Sequence, residues 1–468
     1  MALQHFAGLL AGVFCFVTSL TALAQKPADT DADAFALQAV FAKALGDPQG
    51  VPLLRELTQD IGARPAGSPA YGRAADWSQR RLERLGLTVT RQPVTVRPWE
   101  RGRPAQVTAY APDGKRRALR AATLGNSPAT PEGGIRAPLV EVRSLEEVDS
   151  LGERLRGKVV FYNRAFDAAK VNTFQGYGGA IDQRVYGPAR AAQHGALAAL
   201  VRSMTPALDA IPHTGTTVYP EAGPAVPGIA VSTLDADRLH RMLEAAGEQD
   251  VNVFVQSGGK RLPAATDDNV IADWRGTALP DEYVLIGAHL DSWDLGEGAH
   301  DDGAGVAHVL EAVRLLKDAG YRPRRTIRVV LFANEENGLD GGRAYWRLSD
   351  SLGLRHVAAL ESDSGGFVPR AFTVGAPDGQ DARIAPLTAR WASLFEPYGI
   401  TFVKGGGGAD IRGLREQGAV LFGLRTDGQR YFDLHHTELD TFSSVHPREL
   451  QLGAAAVAAL VRLIDQQL

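Results

Sequence analysis

The sequence predicts an α/β fold: a mostly parallel, mixed sheet flanked by helices, interrupted by an inserted, mostly β domain. Three observations carry that expectation. From about residue 265, strand-like apolar runs alternate with helical patterns, the rhythm of a sheet covered on both faces. Between residues 102 and 262 the texture changes to short β-like runs such as "GKVVFYN" and "VPGIAVS". Ahead of them, residues 25–101 carry helical patterns and are grouped with residues 263–468 as one domain.

The N-terminus is read as an address. Residues 1–24 hold an apolar run of h-region length ending in Ala22-Leu23-Ala24, an A-x-A cleavage site, although the flanking region offers only His5 and no Lys or Arg. The sole cysteine, Cys15, falls inside this signal peptide, so the mature chain is expected to lack thiols and disulfides. No N-x-[ST] site is present, and no later apolar run reaches 18 residues. The expectation is an exported protein, periplasmic or secreted, of bacterial type. A net charge of −4, with 22% charged residues of both signs intermixed, argues against nucleic-acid partners and against a polybasic membrane surface.

The elements follow in order. "DADAFALQAVFAKAL" and "RAADWSQRRLERLG" read as helices around the turn-rich "ARPAGSPAYG". Within the insert, "ARAAQHGALAALVRS" reads as one apolar helix. Next comes strand "YVLIGAHLD". Helix "GAGVAHVLEAVRLLKDAG" follows, with Val306, Val309, Leu310, Val313 and Leu316 on one face and Gly320 and Pro323 to stop it. Strand "TIRVVLFAN", helix "GGRAYWRLSD", strand "HVAAL", helix "IAPLTARWASLFEPYG", strand "AVLFGLR" and a long C-terminal helix complete the chain.

Ligands of such sheets sit beyond the carboxyl ends of the strands. There the sequence places His289 and Asp291, then Asp301 and Asp302 at the next helix start. Glu335 and Glu336 follow in "FANEENG", then Asp363, and finally His435 and His436. Singly, each has an ordinary reading: a hydrogen-bonded histidine, a helix cap, a solvated turn. Together, at successive strand ends, they form a constellation. Two imidazoles and several carboxylates without cysteine suit divalent metals, zinc above all. A bridged cation pair would offset the repulsion and could activate water, with one carboxylate left to move its proton. "SDSGG", a serine-protease-like string, is set aside because the chain has an α/β rhythm and no mature cysteines. "KGGGGAD" lacks the Lys-Ser/Thr of a phosphate loop and reads as a substrate-side loop.

The motifs "GAHLDSW", "GAHDDGAG", "NEENGL", "ESDSGG" and "HHTELDT" resemble those of the co-catalytic zinc exopeptidases, in particular the plasma glutamate carboxypeptidase (carboxypeptidase Q) branch. "GARPAGSPAYGRAADW", "PWERG", "HGALAALVRS", "PHTG" and "VPGIAVS" extend the resemblance over nearly all of the mature chain. It implies a zinc-exopeptidase fold with a protease-associated-like insert, two divalent ions that are expected to be zinc, homodimers, and short peptides, often dipeptides, as substrates. It assigns His289 and Asp363 to the first metal, Asp301 to the bridge, Glu336 and His436 to the second metal, and Glu335 to the general base. Asp291 would orient His289 from behind. His436 is preferred to His435 because the His-Thr-x-x-Asp-Thr register begins there. The loop is richer in glycine than the resemblance leads one to expect. Asp410 and Tyr431 are candidates for contacting substrate, Tyr431 by polarising the scissile carbonyl, with a core or stacking tyrosine as its ordinary reading. Competing expectations are an aminopeptidase for longer peptides, a non-catalytic binding protein on the same scaffold, and a single-zinc glutaminyl cyclase.

Overall fold

The computed structural model describes residues 27–468; the proposed signal peptide and Cys15 lie outside the described residues. Among the described residues, no helix is long and apolar enough to cross a membrane. One eight-stranded sheet is built from β1 (Thr88–Val96), β2 (Ala265–Trp274), β3 (Leu279–His289), β4 (Arg325–Phe332), β5 (Arg355–Glu361), β6 (Pro369–Gly375), β7 (Thr401–Lys404) and β8 (Val420–Thr426). Their spatial order is β1-β2-β4-β3-β5-β8-β6-β7. The central four, β4-β3-β5-β8, are mutually parallel, whereas β1, β2 and β6 pair antiparallel with their neighbours towards the centre.

Parallel strands covered on both faces read as continuous apolar runs, and β4 and β8 are buried almost throughout. Alternate residues of β3 separate the two cores. Val284, Ile286 and Ala288 pack with helices Pro27–Gly46, Ala304–Asp318 and Pro447–Gln467, while Leu285 packs with Tyr345 and Ile411 on the opposite face. In helix Ala304–Asp318 the five residues of the predicted face are fully or almost fully buried, each contributing roughly 1.5–3 kcal/mol.

A second eight-stranded sheet lies within residues 106–256, with strands 135–142, 159–162, 198–202 and 228–231 parallel at its centre. Helices Leu145–Leu151, Gly187–Gln193 and Thr233–Ala246 intervene between its strands, so helix is as prominent as strand in this segment. The reason is topological: parallel neighbours need crossover connections, which are usually helical. The expected single helix over residues 189–203 is not one element. It stops at Gln193, Gly195 turns at φ +77°, and residues 198–202 form a strand buried at every position. A short, wholly apolar run does not distinguish a buried strand from a helix by periodicity. The chain leaves and re-enters the first sheet's domain at adjacent points, where Trp99 and Glu100 pair with Arg261 and Lys260.

Arg64, from the turn-rich "ARPAG", is fully buried and braces the loop after β3. Its Nε donates to the Leu290 carbonyl (2.8 Å), Nη1 to Glu297 (2.8 Å) and Nη2 to Gly298 (3.0 Å). Arg64→Leu would orphan these carbonyls at ~1–3 kcal/mol each, so a loss of roughly 3 kcal/mol or more is expected from urea unfolding. An unchanged midpoint would contradict the bracing role.

Candidate active site

Because β3, β4, β5 and β8 run in parallel, their carboxyl ends emerge on one edge of the sheet. β3 ends at His289, β4 just before Glu335 and Glu336, β5 before Asp363, and β8 before the loop carrying His436. Two backbone turns aim these groups. Asn334 takes φ 56° at the end of β4, and its amide donates to Asp340 (2.7 Å). His436 sits at φ 63°, a left-handed conformation that His tolerates better than most residues.

The structure brings together His289, Asp301, Asp363, Glu336 and His436. His289 Nε2 lies 3.1 Å from Asp301 and 3.8 Å from Asp363. His436 Nε2 lies 3.3 Å from Asp301 and 3.0 Å from Glu336. Asp301 is therefore shared by both clusters. His435 is also near, 3.5 Å from Asp301, but its ring stacks on His436 with centroids 3.5 Å apart and packs against Tyr177, Tyr431 and Phe432. Asp302 serves the backbone instead. One of its oxygens accepts from the Gly305 amide (3.0 Å) at the helix start, the other from the His289 amide (3.2 Å).

Asp291 faces His289 with both its backbone and its side chain. The His289 Nδ1 contact at 3.0 Å is with the backbone carbonyl of Asp291, and the carboxylate is farther away at 3.6 Å. That carboxylate also accepts from the amides of Glu335 (3.0 Å) and Glu336 (3.3 Å) and so fixes the glutamate pair. Tyr431 lines the cleft within an aromatic cluster that includes Phe174 and Phe432. Asp410 does not line it. Gly407, Gly408 and Ala409 form that part of the wall, and the Asp410 carboxylate is fully buried behind them with neither oxygen hydrogen-bonded. The glycine-rich loop folds its acid inwards, which its sequence does not reveal.

Four further residues, given no role from the sequence, stand around the site. Asp440 accepts from the amides of Ala299 (3.1 Å), His300 (2.6 Å) and Asp301 (3.2 Å), pinning the loop that carries Asp301. Its place in "HHTELDT" was the available signal. Thr214 and His213, from the second sheet's segment, hold the histidine loop. The Thr214 amide donates to the His436 carbonyl (3.0 Å), the Thr214 carbonyl lies 3.3 Å from His436 Nδ1, and His213 Nδ1 lies 2.9 Å from the His435 carbonyl. Arg184 is the fourth, buried with its Nη1 3.4 Å from His436 Nδ1.

So many buried acids shift one another. Burial pushes the Glu335 carboxyl well up, and Asp363, Asp410 and Glu336 add to this against the pull of His289. Burial and Asp301 raise Glu336 to about 7. Burial tends to lower His436, but Glu336 and Asp301 outweigh it and lift the imidazole to about 9. The donor set fits divalent cations. Groups of three donors, His289/Asp301/Glu336 and Asp301/His435/His436, come within 4.8 Å, and the buried Glu336 Oε1 has no hydrogen-bond partner. Asp301, Glu336, Asp363, His435 and His436 line a cleft of about 510 Å³ between the two sheets' segments, within the range of small-molecule sites.

Known proteins share this architecture. Residues 269–461 match peptidase family M28. Bovine carboxypeptidase Q is 34% identical over 406 residues, 86% of this chain and 82% of the relative. The chain belongs to peptidase family M28. It is a metal-dependent peptidase, and human carboxypeptidase Q, 32% identical, aligns over a similar span, 86% of this chain and 82% of the human protein. The solved M28 peptidase precursor of Shewanella amazonensis superposes with a TM-score of 0.87 at 34% identity, covering 94% of this chain and 98% of that one. An Aneurinibacillus aminopeptidase shares the fold at TM-score 0.62 and 20% identity, with 92% of this chain and 95% of that one covered.

The pH dependence of the metal-free M28 protein follows from these groups. Glu336 holds its proton more tightly folded than unfolded, so its contribution is full below its ordinary 4.5 and lost as pH rises to about 7. His436 favours folding below its ordinary 6.5 and loses that contribution towards about 9. Calorimetry of chelated protein is expected to show a falling melting temperature from about pH 5 to about pH 9, and added zinc should raise it more at the alkaline end. A larger zinc-induced shift at the acid end would contradict this.

Proposed function

We propose that this M28 peptidase is an exported exopeptidase that hydrolyses dipeptides and other short peptides with two divalent ions, zinc being the ion its donors suit best. His289 and Asp363 would hold one ion, Glu336 and His436 the other, with Asp301 between them. When bound, such a pair supplies Lewis acidity towards a carbonyl and acidifies water. The observation that carries the reading is the sharing of Asp301 between His289 and His436, with Glu335 and Glu336 held side by side on the Asp291 carboxylate.

The two glutamates divide the work. Glu336 points one oxygen at His436 and belongs to the metal-holding set. Glu335 faces the cleft and acts as general base: it takes a proton from the attacking water and delivers it to the nitrogen of the departing amine. Asp291 keeps this division fixed by holding both backbone amides. The apolar N-terminal run ending in Ala22-Leu23-Ala24 supports export, and the likeness to the carboxypeptidase Q branch supports an insert at residues 102–262 of protease-associated type covering the cleft and pairing of two copies.

Glu335→Gln is expected to lower kcat on a dipeptide by ~10²–10⁴-fold while elemental analysis still finds the metal. Full turnover in this variant would remove the base assignment. Asp301→Ala should lose metal from both positions, whereas retention of a full complement would remove the bridging role.

A further inference from the structure

Arg184 is buried in the wall of the active cleft, contributed by helix Asp182–Val185 of the second sheet's segment. Only 4% of the residue is exposed, and its Nε has no hydrogen-bond partner. Nη1 has two neighbours, the Thr214 carbonyl at 3.4 Å and His436 Nδ1 at 3.4 Å. If His436 Nδ1 donates to that same carbonyl, it offers Arg184 no lone pair. The guanidinium lies over the Tyr177 ring, 5.6 Å from its centroid. Among the described residues no carboxylate forms an ion pair with it, although Asp301, Glu335 and Glu336 line the same cleft. A buried charge normally carries a partner, because removing it from water costs several kcal/mol.

The other cations of the cleft are placed differently. Arg425 already donates to Ser364 Oγ (2.9 Å) and lies over Phe174, and Arg343 is exposed. Among the described cations of the cleft, Arg184 combines burial, an unpartnered Nε and a position beside His436.

We infer that Arg184 is the anchor for the free α-carboxylate of the peptide substrate. This rests on the peptidase reading above and deepens it, because it selects peptides with an unblocked C-terminus. A planar guanidinium can bind a carboxylate through two parallel N–H donors, and Tyr177 beneath it limits its rotation. The cleft then has a cationic wall and an acidic floor, so a short zwitterionic peptide has one favoured orientation. A long peptide bound internally would leave Arg184 without a counter-ion and lose that advantage. The same constellation on an aminopeptidase for longer chains would have no use for a buried unpaired arginine at this position.

The test compares a dipeptide with its C-terminal amide, using metal-loaded full-length protein. Wild type is expected to favour the free acid in kcat/KM on the order of 10²-fold, since a desolvated charge pair is at stake. Arg184→Gln should collapse that ratio towards one, mainly through KM, and Arg184→Lys should recover part of it. A second readout avoids turnover: in the Glu335→Gln background, calorimetry should show tighter binding of the acid than of the amide, and Arg184→Gln should erase the difference. Equal use of acid and amide by wild type would overturn the assignment without needing any variant. So would a preference that follows an acidic side chain on the substrate, or an Arg184→Gln enzyme that loses metal and slows equally on both substrates. If wild type cleaves neither dipeptide, the peptidase substrate reading fails first, and acid-versus-amide binding still judges Arg184 separately.

Discussion

The burial of many carboxylates at one place governs this structure. Asp291, Asp301, Asp302, Glu335, Glu336, Glu361, Asp363 and Asp410 gather at the carboxyl edge of one sheet, and each is fully or largely buried. Desolvation first, and like charge behind it, push Asp302, Glu335, Glu336, Glu361, Asp363 and Asp410 up, whereas His289 and His436 hold Asp301 well below its ordinary range. The protein meets this in two ways. Asp291, Asp302 and Asp440 spend their oxygens on backbone amides and thereby become scaffolding. Asp301, Glu336 and Asp363 face imidazoles instead and leave capacity for cations.

That division links folding to chemistry. The acids that organise loops are those whose removal would leave amides unpaired, while those at the metal-suited centre leave unmet lone pairs such as Glu336 Oε1. Arg64 belongs to the first group as the cationic counterpart. It binds carbonyls of the loop after β3 and lies in the field of Asp440, Asp291, Asp302 and Asp301. A site suited to binding metal is destabilising without it, so cation binding contributes to stability as well as to reactivity.

The second sheet's segment is part of the site and not only a cover. Thr214 and His213 hold the loop at His435 and His436 through its backbone and one imidazole nitrogen, which directs the other nitrogen of His436 towards Asp301 and Glu336. Phe174 and Tyr177 close the aromatic side of the cleft, and Arg184 brings a positive charge to a centre otherwise rich in negative ones. Movement of this segment would therefore alter metal geometry and substrate contacts together.

Residue order alone made the central strands and the membership of the site legible. Long apolar runs ending in acids or histidines can be read because strand burial and strand ends leave period and composition signals. Thus His289, Asp291, Asp301, Asp302, Glu335, Glu336, Asp363, His435 and His436 were readable as a set, and the family resemblance narrowed it to the proposed ligands and base. Other features had no such signal. Residues 198–202 were ambiguous because a short apolar run fits helix and strand equally, and the strands outside the central four, β1, β2, β6 and β7, carry no site motif. What each polar group faces emerged with the folded chain. Folding turned Asp410 inwards, gave the Asp291 carboxylate to two amides and separated the role of Asp302 from that of Asp301. It also brought Arg184 and Thr214 to His436 across 252 and 222 residues of sequence. The physical reason is that a side chain's burial and partners are set by contacts distant along the chain, whereas a motif carries only its neighbours.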